Sequence, residues 1–154
     1  MNKKEAALNK AMTIIEFGFQ FEKVLKMKLK KAGFMNEEIG FAVGRLKQMD
    51  LINDFKFAHN YAESLINNKL TGPVKVTAKL TEKGLDYGVA MQITSNIIEL
   101  AGGEEHILRK FLEKNSIDIT DFKDAAEKDK IVRKLTAKGF TAKTIFRTMN
   151  IDEE

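Results

Sequence analysis

The chain has 154 residues, of which 44% are hydrophobic and 31% are charged, with 26 Lys and Arg against 22 Asp and Glu. This length and apolar fraction fit a single soluble domain or a short repeat array, and they argue against wholesale disorder. No run of about 18 apolar residues is present, so we predict no transmembrane helix, and the first residues lack a signal-peptide pattern. The absence of cysteine excludes disulfides and thiolate sites and is typical of a cytoplasmic protein.

The charge composition favours binding to an anionic partner and argues against recognition of a specific DNA sequence. The net charge of +4 gives mild attraction to polyanions. Lysine predominates, and lysine is a flexible point charge that cannot form the two-pronged hydrogen bonds with which arginine reads base edges. Only four cations are arginine: Arg45, Arg109, Arg133 and Arg147.

The sequence contains no recognisable catalytic or cofactor motif. Neither a nucleotide-binding loop nor a nucleophile elbow is present. The only histidines, His59 and His106, are interpreted as packed or surface residues, and Asp54 as an acid at a helix start. We therefore predict a non-enzyme with no metal, no cofactor and no small-molecule substrate.

The first third of the chain has the apolar spacing of three helices. A first helix is expected near residues 4–16, and the second ends at Gly33, the residue best suited to a left-handed C-terminal cap. Asn36 is expected to cap a third helix whose buried face extends to Met49. At least two phenylalanines of the connecting stretch 17–21 are expected in the core.

The rest of the chain continues in the same way. Breaks are expected at Gly72–Pro73 and Gly102–Gly103, and a loop at residues 116–123. Asp86 and Thr141 are expected to cap the helices that follow them. With one proline and few β-branched runs, no sheet is predicted.

One motif occurs three times, at residues 25–34, 76–85 and 131–140. Each copy has an aliphatic residue, Lys-Leu three residues later, and Gly followed by Phe or Leu. The aliphatic residue and the Leu lie four positions apart on one helix face, and the Gly takes the positive φ that ends the helix.

The spacing of the motif predicts an all-α array of three tandem three-helix repeats. We expect repeat 1 at about 1–52, repeat 2 at about 53–101 and repeat 3 at about 102–151, together forming one array over residues 1–154. A unit of about fifty residues buries little surface alone, so neighbouring repeats should stack into an elongated, curved body.

The ordered set of motifs resembles the RecX family, the regulators of the RecA recombinase. The resemblance covers roughly residues 20–150. Its matching segments are Lys28 to Phe34, Leu46 to Ala58, Thr71 to Pro73, Lys79 to Leu85 and Arg133 to Phe140. This chain departs from the family in being poorer in Arg and in having an acidic stretch from Asp118 to Asp129.

The resemblance implies three helical repeats and a protein that lodges in the groove of the RecA–DNA filament. There it would restrain RecA's ATPase, strand exchange and co-protease activities, and so regulate homologous recombination, DNA repair and the SOS response. RecA is the implied partner, with the phosphates of single- or double-stranded DNA as further contacts.

We predict that cations recurring on the motif helices form a basic strip facing RecA or DNA, because they occupy similar places in successive repeats. The alternative interpretation is a solvated helix face. The predicted strip comprises Lys28, Lys30, Lys31, Lys79, Lys83, Lys130, Arg133, Lys134 and Lys138. Two other functions remain open: sequence-nonspecific DNA binding without RecA, and a helical scaffold for another protein.

Overall fold

The computed structural model describes residues 2–18 and 20–151, and every regular element in these ranges is helical. The predicted all-α fold is confirmed. The helices, in chain order, are α1 (Lys3–Glu16), α2 (Glu22–Lys31), α3 (Asn36–Gln48), α4 (Asp54–Glu63), α5 (Pro73–Glu82), α6 (Tyr87–Leu100), α7 (Glu104–Lys114), α8 (Ala125–Ala137) and α9 (Ala142–Met149). A π-helical turn, Ser64–Asn68, continues α4.

The chain forms two compact units. The first contains residues 1–59 and 82–85, and the second contains residues 60–81 and 86–154, in so far as these are described. The boundaries of the three repeats remain a prediction, since compactness and sequence repetition are different criteria.

The first unit has a core made by α1, α2 and α3, which pack against one another. Their apolar stripes meet because each helix repeats its apolar residues every three or four positions. Small residues on α1 allow close approach, while α2 and α3 supply larger side chains. The buried core residues are Ala7, Ala11, Leu25, Leu29, Ile39, Ala42, Val43, Leu46 and Ile52.

In the second unit, α7 packs on α6 and α9, and α9 also contacts α8. The rings of Phe111 and Phe140 lie 6.1 Å apart within this unit. Thr77 and Thr94 are buried polar residues: the Thr77 hydroxyl donates to the Thr94 hydroxyl at 3.2 Å, and the Thr94 hydroxyl donates to the Ala90 carbonyl at 2.8 Å. The unit therefore buries hydroxyls without leaving these two unpaired.

The three glycines of the motif all adopt the predicted left-handed conformation. Gly33, Gly84 and Gly139 have φ of +97°, +108° and +100°. In the first unit, Gly84 lies against Lys23, near the start of α2. In the second unit, Gly139 lies against Lys75, near the start of α5. Each later glycine thus contacts the beginning of the preceding motif helix, which supports the prediction of tandem repeats.

Two local expectations at α3, the cap at Asn36 and the burial of Met49, need correction. Asn36 is the first residue of α3 and not its cap; Met35 precedes the helix, and the Glu38 carboxylate accepts a hydrogen bond from its backbone N–H. Met49 is 48% exposed because it lies past the end of the helix.

Of the phenylalanines in the stretch 17–21 between α1 and α2, Phe21 is buried and Phe17 is 87% exposed. The remaining one, Phe19, lies outside the described residues.

Two helices are capped by carboxylates from distant parts of the chain. Asp54 accepts a hydrogen bond from the backbone N–H of Glu22, the first residue of α2, at 2.9 Å. Glu104 accepts from the N–H of Thr141, just before α9, at 2.7 Å. Each carboxylate accepts a hydrogen bond from a backbone N–H at the start of the helix that it caps, where that N–H has no partner within the same helix. The negative charge of the carboxylate also complements the positive end of the capped helix.

Glu104→Ala is expected to lower the free energy of unfolding by about 1–2 kcal/mol, because a charge-assisted hydrogen bond at a helix start would be lost. Urea denaturation followed by circular dichroism measures this change. Glu113→Ala on the same helix is the matched control, since Glu113 is exposed. Equal destabilisation by both substitutions would contradict the capping role of Glu104.

Candidate polyanion-binding site

Two backbone segments cross in the second unit, at the start of α5 and at the glycine stop after α8. The N–H of Gly72 donates to the carbonyl of Lys138 at 3.0 Å, and the N–H of Val74 donates to the carbonyl of Gly139 at 2.9 Å. A Cβ on Gly72 would lie 2.3 Å from the carbonyl carbon of Gly139. Only glycine permits this approach, and the crossing holds Lys75 beside the stop.

Lys138 lies near the crossing, and four other lysines lie close enough for their charges to act on it. We call these five residues the lysine cluster: Lys69, Lys75, Lys79, Lys114 and Lys138. Burial lowers the pKa of the Lys138 ammonium below its usual 10.5, and the positive charges of the other four lower it further. The Nζ atom of Lys138 also lies 5.4 Å from the centre of the Phe111 ring. A bound anion would relieve this repulsion.

In the described part of the chain, no lysine of the lysine cluster forms an ion pair with a carboxylate. The ion pairs found there, with nitrogen–oxygen distances of 4.0 Å or less, involve other cations. Clustered, unpaired cations with a lowered lysine pKa are typical of a site that receives an anion from outside.

The start of α2 in the first unit differs, because it carries a carboxylate that pairs with nearby lysines. There Glu22 forms ion pairs with both Lys26 and Lys47. The hydrogen bond and charge of Glu22 raise the pKa of Lys47 above its ordinary value. Lysines without an ion pair are therefore a feature of the crossing in the second unit and not of every motif helix.

The structure brings two residues of the predicted strip, Lys79 and Lys138, into the lysine cluster. Lys130 and Lys134 line a different hollow of the second unit, with a mixed charge. The Nε of Arg133 donates to the backbone carbonyl of its own helix, four residues earlier, at 3.4 Å. The acidic residues of that hollow are Asp118, Asp121 and Glu127.

The other four residues of the predicted strip belong to the first unit. Lys28 donates to the Gln20 side-chain oxygen at 3.1 Å. Lys30 lines a separate shallow hollow, and Lys31 is exposed in the last turn of α2. Lys83 directly precedes the Gly84 stop and is half-buried. Their common function stays a prediction.

Sequence reasoning missed three members of the lysine cluster: Lys69, Lys75 and Lys114. Lys69 and Lys114 lie outside the motif, and Lys75 directly precedes its second copy. Their proximity to Lys138 depends on tertiary contacts, such as the crossing that places Lys75 against Gly139, which no local pattern reveals. The adjacent Gly72–Pro73 break was visible but indicated only a helix start.

In residues 2–18 and 20–151, no group of three or more His, Asp or Glu side chains comes together in a way that could hold a metal ion. Within the same residues, no helix combines the length and apolar character needed to cross a membrane.

By fold, the described part of the chain is an all-helical protein whose motif helices end at glycine, and known proteins are similar to it in sequence. No family model matches it. The regulatory protein RecX of Chlorobaculum tepidum is 29% identical over 151 residues, covering 97% of this chain and 89% of the relative. RecX of Listeria monocytogenes (strain EGD-e) is 31% identical over 137 residues, covering 88% of this chain. The chain spans 49% of that Listeria protein's length.

Solved structures agree on the fold. The crystal structure of RecX from Lactobacillus salivarius matches with a TM-score of 0.72 at 21% identity, covering 96% of this chain and 95% of the other. A second crystal structure of a regulatory protein RecX gives a TM-score of 0.79 at 19% identity, covering 96% and 71%. The resemblance found in the sequence to the RecX family of regulatory proteins is confirmed, since the similarity to proteins of that name extends over most of this chain.

Proposed function

We propose that this chain binds in the groove of RecA–DNA filaments and inhibits RecA's ATPase, strand exchange and co-protease activities in the cytoplasm. Through these activities it regulates recombination, DNA repair and the SOS response. Similarity to the RecX family supports the assignment. The observation that carries it is the lysine cluster, since unbalanced cations fit a filament that contains DNA phosphates.

The proposed mechanism is a shift between filament states. A bound regulator changes the balance of active and inactive filaments only if its affinity for the two states differs. Cations held in fixed relative positions by a backbone crossing provide such a difference, because anionic groups match them in one filament arrangement better than in another. No chemical step is required of this protein.

The second candidate function is sequence-nonspecific DNA binding without RecA. The lysine cluster also favours this candidate, because phosphate contacts need only positive charge. The low arginine content argues against recognition of a particular sequence in either case. The two functions differ in whether RecA is needed for an effect.

Titration of the protein into a RecA ATPase assay on single-stranded DNA is expected to lower the ATPase rate. The inhibition should weaken sharply between low and moderate salt, because counterion release makes contacts with phosphate salt-dependent. Lys28, Lys30 and Lys31 changed together to Glu should lose filament binding while retaining helical circular dichroism.

An unchanged ATPase rate, together with binding to DNA alone, would favour the second candidate. A response that is flat with salt would count against a basic contact surface. Full inhibition by the triple variant would remove the first unit's lysines from the interface.

A further inference from the structure

An apolar groove lies next to the lysine cluster in the second unit. It has a volume of about 430 Å³, and its walls come from α5, α6 and the start of α9. Three of its apolar side chains are well exposed: Val74 by 57%, Tyr87 by 64% and Met91 by 47%. Large apolar side chains gathered around a hollow are typical of a surface that binds a partner.

The groove and the lysine cluster share one helix and one crossing. On α5, Val74 and Ala78 line the groove, while Lys75 and Lys79 follow them by one position, about 100° further around the helix. At the crossing, Val74 donates to the carbonyl of Gly139, close to the groove residue Thr141. A partner that fills the groove therefore lies beside several unpaired ammonium groups.

The chemistry of the groove favours an aliphatic side chain over a nucleic-acid base. The polar side chains that line it carry only the hydroxyls of threonine and of Tyr87, with no side-chain amide, carboxylate or guanidinium group to read base edges. Stacking platforms for bases usually carry several aromatic rings, whereas this groove has Tyr87 alone. Met91 is a flexible side chain that adapts to an inserted aliphatic group.

We propose that the groove and the lysine cluster together bind an acidic peptide segment that carries one large aliphatic residue. The aliphatic residue enters between Val74 and Met91, and the carboxylates of the segment face Lys75 and Lys138. The inference rests on the proposed function only for the source of the segment, which would be a protein component of the filament.

The test uses fluorescence anisotropy with a short synthetic peptide of Asp and Glu residues around a central Leu. The matched peptide has Ser in place of Leu, and an oligothymidylate provides the nucleic-acid arm. The Leu peptide is expected to bind about tenfold more tightly than the Ser peptide, since a buried Leu contributes transfer free energy of that order. Lys75→Gln should weaken the binding of both peptides.

Variants identify the groove as the place of binding. Met91→Ser and Ala78→Asp alter groove side chains that are exposed, and each should abolish most of the preference for Leu. Met35→Ser changes an exposed methionine of the first unit and should leave the preference intact. Far-UV circular dichroism checks that each variant folds.

Equal affinity for the two peptides would overturn the proposal, as would a Leu preference unaffected by Met91→Ser. Tighter binding of the oligothymidylate with loss on Met91→Ser would assign the groove to bases instead. The RecA ATPase assay of the unmodified chain is read separately. No effect there rejects the proposed function, while the peptide measurements still decide the ligand of the groove.

Discussion

Gly72→Ala is expected to lower the free energy of unfolding by about 2–4 kcal/mol, measured by urea denaturation. The added Cβ would lie 2.3 Å and 2.4 Å from the carbonyl carbon and oxygen of Gly139, and 2.4 Å from the backbone nitrogen of Phe140. These are backbone atoms, so relief requires the two segments to separate. Separation would weaken the hydrogen bonds that Gly72 and Val74 donate across the crossing.

Gly40→Ala is the control for this prediction. Gly40 lies inside α3, and a Cβ there would meet no atom within 4 Å. Alanine in a helix interior is favoured over glycine by about 0.5–1 kcal/mol, so this variant should be as stable as the unmodified chain or more stable. Similar destabilisation by both substitutions would mean that the close approach at Gly72 does not decide the outcome.

Lys75→Glu combined with Lys138→Glu is expected to weaken binding to RecA–DNA filaments by about a hundredfold or more at low salt. The double variant reverses two charges of the lysine cluster and places carboxylates where an anionic partner would lie. Lys10→Glu with Lys56→Glu is the matched control, because both lysines are exposed and lie outside the lysine cluster. If both double variants lost the same filament affinity, the effect would come from net charge and not from the lysine cluster.

Lys138→Met is expected to affect filament binding and folding stability in different directions. The side chain keeps an apolar stem near Phe111 but loses an ammonium that burial and like charges disfavour, as the lowered pKa of Lys138 shows. Because the ammonium is only half-buried, solvent screens the effect, and the variant should be as stable as the unmodified chain or slightly more stable. It should nevertheless bind the filament more weakly.

The lowered pKa of Lys138 also determines how anion binding and folding stability change with pH. Its charged form is lost at a lower pH than that of an ordinary lysine, so anion binding should weaken as the pH rises toward 10.5. In the absence of an anion, the same group favours folding as the pH rises through the interval from its folded pKa to its unfolded pKa. Lys138→Met should remove both contributions.

Local patterns in the sequence predicted the helices and many of their ends. Asp86 caps α6 by accepting from Gly88, and Thr141 caps α9 by accepting from Thr144, as expected. The motif glycines have positive φ because the conformation needed to end a helix depends mainly on the adjacent backbone. The resemblance to the RecX family also followed from the ordered motifs.

Local sequence patterns did not predict features that depend on contacts between distant parts of the chain or on where a helix departs from its regular course. The π-helical turn after α4 and the carboxylate caps from Asp54 and Glu104 were not predicted. A cap supplied from more than thirty residues away has no signature at the helix it serves. Met49 was placed in the core by helical spacing that the chain does not continue beyond α3.

The sequence by itself determined the helical class, the glycine stops and the resemblance to the RecX family, because periodicity, capping and motif order can be read from the order of residues along the chain. Only the tertiary structure decided which lysines come together. Lys75 lies beside Lys138 because two glycines let separate backbone segments cross at hydrogen-bonding distance. Lys114 comes from α7, whose Phe111 ring lies 5.4 Å from the Lys138 ammonium. Coulombic repulsion depends on distance in space, and the packing of separate helices sets that distance.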